Sequence, residues 1–295
     1  MNTSRQLTFR EMFQQYNQNE PEFVPLTNDL LFHKVFTGNK TALQALLCRL
    51  LNLKQEEIKE IDILNPIQYG DQDDSRQTVL DLRIHLNRNK YILVEMQVRK
   101  FSHWTNRSLV YTCRQVTDQI RGNEFNYGLL EQVVQISIMS YTLFPEHRRF
   151  FSRYSLKDAE GWELTEKMQL CVMDLSAMDL ASEADRSQKL DEWAKLFNAK
   201  TWEDVEAITA DEIQEVKKEM TFIMSQPTER DRIWARQMAI WDHNAMIADA
   251  KEEGREEGRE EVREEAEKRE QEMVRRMRAK GLSENDIKEI TGQID

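Results

Sequence analysis

The sequence predicts an α/β fold, with a sheet flanked by helices in the N-terminal part and an α-helical C-terminal half that contains a long charged helix. Two neighbouring segments, 78–86 and 91–99, alternate apolar and polar residues with the period of two that is typical of β-strands. The segments before and after them repeat apolar residues at helical spacing. From about residue 185 onward the pattern is helical, and residues 251–272 repeat charged residues every four positions.

The individual elements follow from the same periodicities and from turn residues. A helical apolar stripe precedes Gly38, which predicts an opening helix that stops there. Between the two alternating segments, residues 87–90 are good turn material, so the pair is predicted to form a hairpin. The remaining predictions are a helix over 41–52, a strand within 56–69 interrupted by Pro66, a helix over 104–121 ended by Gly122, a strand over 133–144 and one or two strands within 162–175.

The composition excludes several classes of protein. Among 295 residues, 40 % are hydrophobic, which is enough to build a core. The N-terminus is polar and no run of 18 apolar residues occurs, so we expect neither a signal peptide nor a membrane span. Three scattered cysteines argue against a disulfide framework or a cysteine zinc site, and a cytoplasmic location is expected.

The excess of acidic over basic residues lies in the C-terminal half of the chain. Residues 1–150 contain 18 basic and 17 acidic residues, whereas residues 151–295 contain 23 basic and 36 acidic ones. The net charge of −12 is therefore compatible with nucleic-acid binding by the nearly neutral N-terminal half, where local basic patches can face phosphates.

The hairpin carries the candidate metal ligands. Burial of its apolar residues on one side of the sheet requires a turn with an odd number of residues, either 87–89 or 88–90. Asp81 then lies opposite Glu95 or opposite Gln97, and both registers place Asp81, Glu95 and Gln97 together on the other face. Two carboxylates side by side are ligands that Mg²⁺ prefers. The plainer interpretation is a half-exposed hairpin with acids on its solvent face. Coverage of both faces by helices would favour the metal site, because buried carboxylates need a partner.

Several segments together resemble the recombination-promoting nuclease and transposase family within the PD-(D/E)XK nuclease superfamily. The hairpin motif Val79-Leu80-Asp81-Leu82 … Leu93-Val94-Glu95-Met96-Gln97 resembles the core of that family. The other similar segments, in the same order, are the helix at 28–36, Arg107, Tyr111, Gln119, Gly122 and Tyr127 after the hairpin, the strand at 134–138, the EEGREEGREE run and residues 281–292.

The resemblance implies an αβββαβ core around a mixed sheet and Mg²⁺-dependent cleavage of DNA, with Mn²⁺ as a possible substitute. It implies that Asp81 and Glu95 are metal ligands and that Gln97 orients the attacking water. Asp29 on the opening helix would be an auxiliary acid, or else a helix-start acid on the dipole. Many relatives have Lys at the position of Gln97, so the strength of water activation is open, and Arg99 or Lys90 could supply the missing charge.

Substrate contacts and assembly are also predicted. Arg107 and Tyr111 could line a DNA groove, together with Trp104 and Arg114, or belong to a helix core with a polar edge. The charged helix predicts a homo-oligomer. The tail resembles the first two helices of a helix-turn-helix, which leaves a DNA contact or a packing element open.

We therefore predict a DNA endonuclease associated with transposition. The rivals are a catalytically weak or inactive nuclease fold that binds DNA or protein as an oligomer, and a nuclease acting on RNA. The predicted segments are a flexible leader (1–22), a nuclease-like α/β domain (23–180), a helical region (181–250), and a charged helix with a short helical tail (251–295).

Overall fold

The computed structural model describes residues 23–68, 78–120 and 126–283, together with residues 287, 290 and 291. Contacts between residues divide the chain into two units, Met1–Arg236 and Gln237–Asp295. Three sequence predictions concern residues outside the described part of the chain: the leader 1–22, Gly122 and residues 284–286 of the tail.

Two helices open the first unit, α1 (Asp29–Gly38) and α2 (Lys40–Leu51). Asn28 and Asn39 begin them, because each side chain accepts hydrogen bonds from main-chain N–H groups of the first turn. The apolar stripe predicted for α1 is buried, as expected for a helix with one face in the core.

A six-stranded mixed sheet forms the centre of this unit. The elements in chain order are β1 (Ile61–Leu64), β2 (Ile67–Gln68), β3 (Thr78–Val79), β4 (Leu82–Leu86), β5 (Lys90–Gln97), α3 (Trp104–Thr117), β6 (Gln132–Met139), β7 (Phe151–Lys157) and β8 (Glu163–Asp174).

The strands of the large sheet follow the spatial order β1-β4-β5-β6-β8-β7, and β2 and β3 form a separate two-stranded sheet. Strands β5, β6 and β8 run parallel to one another, and the other pairs are antiparallel. The predicted αβββαβ core is confirmed: it consists of α1, the strands β1, β4 and β5, the helix α3 and the strand β6.

The β4–β5 hairpin has the first of the two predicted registers. Leu82 pairs with Val94 and Leu86 with Lys90, so the turn consists of the three residues Asn87, Arg88 and Asn89. The even-numbered residues of both strands point to one face, where all except the half-buried Lys90 are buried. The odd-numbered residues point to the other face, which α3 covers.

Polar and apolar contacts fasten α3 to the sheet. Leu80, Leu93 and Val133 form a small core against which Tyr111 packs. The hydroxyl of Thr112 lies 2.7 Å from the side-chain oxygen of Gln135 on β6. Both faces of the sheet are therefore covered, and a polar group on the α3 face must find its partner there.

Helices dominate the remainder of the chain, as predicted. The elements are α4 (Glu183–Ser187), α5 (Leu190–Asn198), α6 (Trp202–Glu206), α7 (Gln214–Ser225) and α8 (Pro227–Ala279). The charged repeat forms the exposed helix that was predicted, with ion pairs such as Glu252–Arg255 at 3.6 Å and Glu265–Arg269 at 3.0 Å. The second spacing, four residues apart, is the better one for a Glu that precedes a basic residue.

Two boundaries differ from the sequence predictions. Helix α3 ends at Thr117, where Asp118 and Gln119 form a turn, and strand β6 ends at Met139. Residues 162–175 contain the single strand β8, in agreement with the prediction of one or two strands there. Strand β7 was not predicted, because it lies at the sheet edge and has no regular alternation of buried and exposed residues.

We expect Asn87→Ala to lower the free energy of unfolding by about 2 to 3 kcal/mol. Asn87 adopts a left-handed conformation with φ of 52°, which Asn tolerates better than Ala. Its side-chain oxygen also accepts hydrogen bonds from the main-chain N–H groups of Lys59 and Glu60, and its side-chain nitrogen donates one to the main-chain oxygen of Glu57. Urea unfolding measures the change.

Asn89→Ala is the matched control within the same turn. Asn89 is exposed, so we expect this change to alter the free energy of unfolding by less than about 0.5 kcal/mol. Equal stability of the two variants would contradict the role given to the Asn87 side chain.

Candidate functional site

Asp81 lies in a bend immediately before β4 rather than within the strand. The hairpin register places it opposite Glu95. One carboxylate oxygen accepts a hydrogen bond of 2.6 Å from the main-chain N–H of Met96. The Asp81 side chain is thereby fixed against the residue that follows Glu95.

Glu95 is a buried acid at the centre of the sheet, with 3 % of its surface exposed. One carboxylate oxygen forms an ion pair with the guanidinium of Arg107 on α3. The other oxygen, Oε2, is buried and has no hydrogen-bond partner among the described residues. Such an oxygen is costly unless a further donor or a cation binds it.

The protonation of both carboxyls is strongly perturbed. Burial raises the pKa of Glu95 to about 7, although the positive charge of Arg107 acts in the opposite direction. Burial likewise raises the pKa of Asp81 to about 6, against the hydrogen bond from Met96. The negative charge of Asp81 also raises the pKa of Glu95, which is evidence that the two carboxylates lie close together.

Asp29, the predicted auxiliary acid, is the first residue of α1 and binds Arg236 through both carboxylate oxygens. Burial alone would raise its pKa, but the hydrogen bonds and charge of Arg236 hold the pKa of Asp29 below its usual value. The charge of Asp29 in turn raises the pKa of Asp81. Asp29 therefore belongs to the same charged cluster, and its carboxylate is already occupied by a cation.

Gln97 shares the face of Glu95, two residues further along β5. Its side-chain nitrogen donates a hydrogen bond of 2.7 Å to the main-chain oxygen of Arg99. Lys90, proposed as an alternative source of charge, lies at the other end of β5, about 16 Å from Glu95 by strand geometry. Lys90 is thus too distant to replace a missing lysine at position 97.

Arg107, one of the residues predicted to line a DNA groove, contacts Glu95, and Tyr111 contacts Arg107. They are four residues apart on α3, and the Nε of Arg107 donates a hydrogen bond of 2.9 Å to the Tyr111 hydroxyl. Trp104 is instead buried against Met139 and Val172, so the alternative of a helix core holds for this residue.

Sequence reasoning missed three residues of this cluster. The Nδ1 of His33 lies 2.8 Å from the main-chain oxygen of Asp81, and since a carbonyl only accepts, this nitrogen donates. Ser137 pairs with Glu95 across the parallel β5–β6 ladder, and its buried hydroxyl has no partner among the described residues. Arg236 is the third. Only His33 left a signal in the sequence, its spacing of four residues from Asp29 on one helix.

A comparison with family models decides the relationship of the chain. The model of the PD-(D/E)XK nuclease family transposases matches residues 26–250. The chain belongs to this family. Comparisons with curated proteins and with solved structures gave no match.

As a PD-(D/E)XK nuclease family transposase, the protein has a nuclease- or transposase-related function, and nucleic acid is the substrate that this family implies. PD-(D/E)XK nucleases generally use divalent metal ions. None of the helices described here has the length and apolar character needed to cross a membrane.

The residues present fit a divalent metal ion. Asp81 and Glu95 offer hard carboxylate oxygens, and the unpartnered Oε2 of Glu95 is suited to a cation. Within the described ranges, no cluster of three or more His, Cys, Asp or Glu side chains could hold a metal. A site with two carboxylates, completed by water and substrate oxygens, is the type that Mg²⁺ commonly occupies.

We expect the free energy of unfolding to fall as the pH rises from about 4 to 7 when metal ions are chelated. Both Asp81 and Glu95 have folded-state pKa values above their ordinary values, so the folded protein binds their protons more tightly than the unfolded chain does. The contribution of these two groups to the free energy of unfolding is fully present below their ordinary pKa values. It is lost as the pH rises through their folded-state pKa values. Urea unfolding in EDTA across this range measures it.

Glu95→Gln is the informative variant, because Gln cannot ionise. It should remove part of the fall, on the order of 2 kcal/mol, compared with wild type. Mn²⁺ should also reduce the fall in wild type by binding the ionised carboxylates. The assignment fails if wild type and Glu95→Gln show the same dependence on pH.

Proposed function

We propose that the protein is a metal-dependent DNA endonuclease associated with transposition, and that Asp81 and Glu95 hold Mg²⁺ at its active site. The observation that carries the proposal is the buried carboxylate pair of the hairpin, with one Glu95 oxygen left without a partner. Membership in the PD-(D/E)XK nuclease family transposases supports the same conclusion.

The chain's own residues account for binding and charge. The raised pKa values of Asp81 and Glu95 mean that neither carboxylate is stable as an isolated buried anion, so both favour a cation. Mg²⁺, when bound there, supplies the positive charge that stabilises a phosphodiester undergoing hydrolysis and lowers the pKa of a bound water. Manganese can replace it, because it also prefers oxygen ligands.

Arg107 has a double role in this proposal. Without a metal, its guanidinium compensates the charge of Glu95, which would otherwise be buried without a partner. With the charge of Glu95 compensated by a bound cation, the partly exposed guanidinium of Arg107 would have N–H groups to donate to a substrate phosphate. Tyr111, which accepts from Arg107, holds the side chain in place.

Gln97 orients the attacking water in this proposal. An amide can accept and donate hydrogen bonds but carries no charge, so it positions water without stabilising developing negative charge as Lys would. The amide must leave the Arg99 oxygen to do so, and this rotation involves only the side chain.

We expect Asp81→Asn and Glu95→Gln each to reduce plasmid nicking in Mg²⁺ by about 100-fold or more. The amide variants keep the size of the side chain but remove the charge that holds the metal. Asn at position 81 can still accept the hydrogen bond from Met96. Nicking is followed on gels in Mg²⁺, in Mn²⁺ and in EDTA, with duplex RNA as a second substrate.

Glu131→Gln is the matched control. Glu131 is a half-buried acid that binds His85 at 2.6 Å, and it precedes β6 at the opposite end of the strand from Ser137. This variant should nick like wild type. Equal nicking by wild type and Asp81→Asn would sink the proposal, and metal-independent binding without cleavage would favour a non-catalytic DNA- or protein-binding protein.

We also propose that the protein is a homo-oligomer assembled through its C-terminal helices. In the second unit, α8 exposes large apolar side chains at Trp241, Met246, Ile247 and Val262. A single charged helix of this length gains little from its own ion pairs, because each exposed pair contributes at most about 0.5 kcal/mol. Association would cover the apolar side chains.

Light scattering is expected to give a multiple of the chain mass for the full protein and a smaller mass after deletion of residues 241–295, which removes all four exposed apolar side chains. The deletion removes most of the charged helix while leaving the α/β domain intact. Dependence of the mass on protein concentration would support association further. A monomer that is unchanged by the deletion would contradict the proposal.

A further inference from the structure

Arg236 reaches the site from a part of the chain that is distant in sequence. It is the last residue of the first unit and lies 207 positions from Asp29, to which it binds. Its Nε lies 3.0 Å from each carboxylate oxygen of Asp29, and one terminal nitrogen also bonds to that carboxylate. This fork geometry fixes the plane of the guanidinium.

The contacts of α1 place this guanidinium beside the carboxylate pair. Asp29 and His33 are one helical turn apart and share a face of α1. His33 contacts the main chain of Asp81 at 2.8 Å, so Arg236 lies close to Asp81 on the α1 side. Arg107 approaches Glu95 from α3, and the two arginines therefore flank the acids from different helices.

The guanidinium of Arg236 retains donors that Asp29 does not use. Its side chain is 53 % exposed, and the second terminal nitrogen has no hydrogen-bond partner among the residues the structure describes. A guanidinium held in one plane with free N–H groups is suited to bind a phosphate, since little rotamer entropy is lost on binding. An ion pair whose only role was to hold α1 against α8 would not require an exposed Arg236 side chain.

We propose that Arg236 binds a backbone phosphate of duplex DNA, next to the phosphate that would be cleaved at Asp81 and Glu95. Asp29 is then a positioning residue that orients the guanidinium, rather than an acid that acts on the substrate. The inference rests on the proposed function for the identity of the substrate. It adds a substrate-binding residue that the sequence pattern gave no reason to select.

The test separates a phosphate contact from simple neutralisation of Asp29. In an Asp29→Asn background no carboxylate remains to be neutralised, but the amide oxygen can still accept a hydrogen bond from the guanidinium and hold it in place. Arg236→Ala should therefore still weaken DNA binding about fivefold in this background and lower the salt slope by about one. Binding of a short labelled duplex is measured by fluorescence anisotropy in EDTA, and again with Ca²⁺, between about 50 and 200 mM KCl.

Arg232→Ala is the matched control, because Arg232 lies one turn earlier on α8, is 65 % exposed and pairs with Glu229. It should leave the affinity and the salt slope unchanged. Equal affinities of Asp29→Asn and Asp29→Asn/Arg236→Ala would overturn the proposal, as would a wild type without measurable DNA binding. Nicking in Mg²⁺ is measured in a separate assay. DNA binding that depends on Arg236, in a protein that does not nick DNA, would support the phosphate contact and refute the proposed nuclease activity.

Discussion

The burial of Glu95 under α3 is the constraint on which the rest of the site depends. A carboxylate inside a covered sheet must lose its charge, pair with a cation or bind a metal. The chain meets this demand with Arg107, which covers one oxygen, and with a pKa near neutrality for the carboxyl. Because α3 also packs on Leu93 and Gln135, its position and the state of Glu95 are linked.

Two layers of helices bring opposite charges to the same place. Helix α1 contributes Asp29 and His33, and α3 contributes Arg107. Arg236 binds Asp29 and Arg107 binds Glu95, so each of these two carboxylates has a cationic neighbour. The local balance explains how a chain with a net charge of −12 can be suited to a polyanion, since residues 96–117 contain four basic residues and no acidic one.

The sequence was informative where one local rule determined the outcome. Burial of the apolar residues of the hairpin required an odd turn, which placed Asp81 on the same face as Glu95 and Gln97 and left it opposite one or the other; the structure selects the register with Glu95. The same reasoning could not find β7, an edge strand whose two faces have similar exposure. Arg236 was also beyond reach, because its partner lies in a helix at the other end of the first unit and no periodicity connects the two. Asp81 illustrates an intermediate case, since the parity was right but the residue stands just outside the strand.

The hydrogen bond from His33 ends on the main chain of Asp81, not on its side chain. Any amino acid at position 81 presents the same carbonyl, so the joint between α1 and the hairpin does not depend on the acid. Chemistry and architecture are therefore separable at this position. On the proposed function, one substitution at position 81 would remove cleavage and leave the contact between α1 and the hairpin in place, so catalysis and folding make separate demands on this residue.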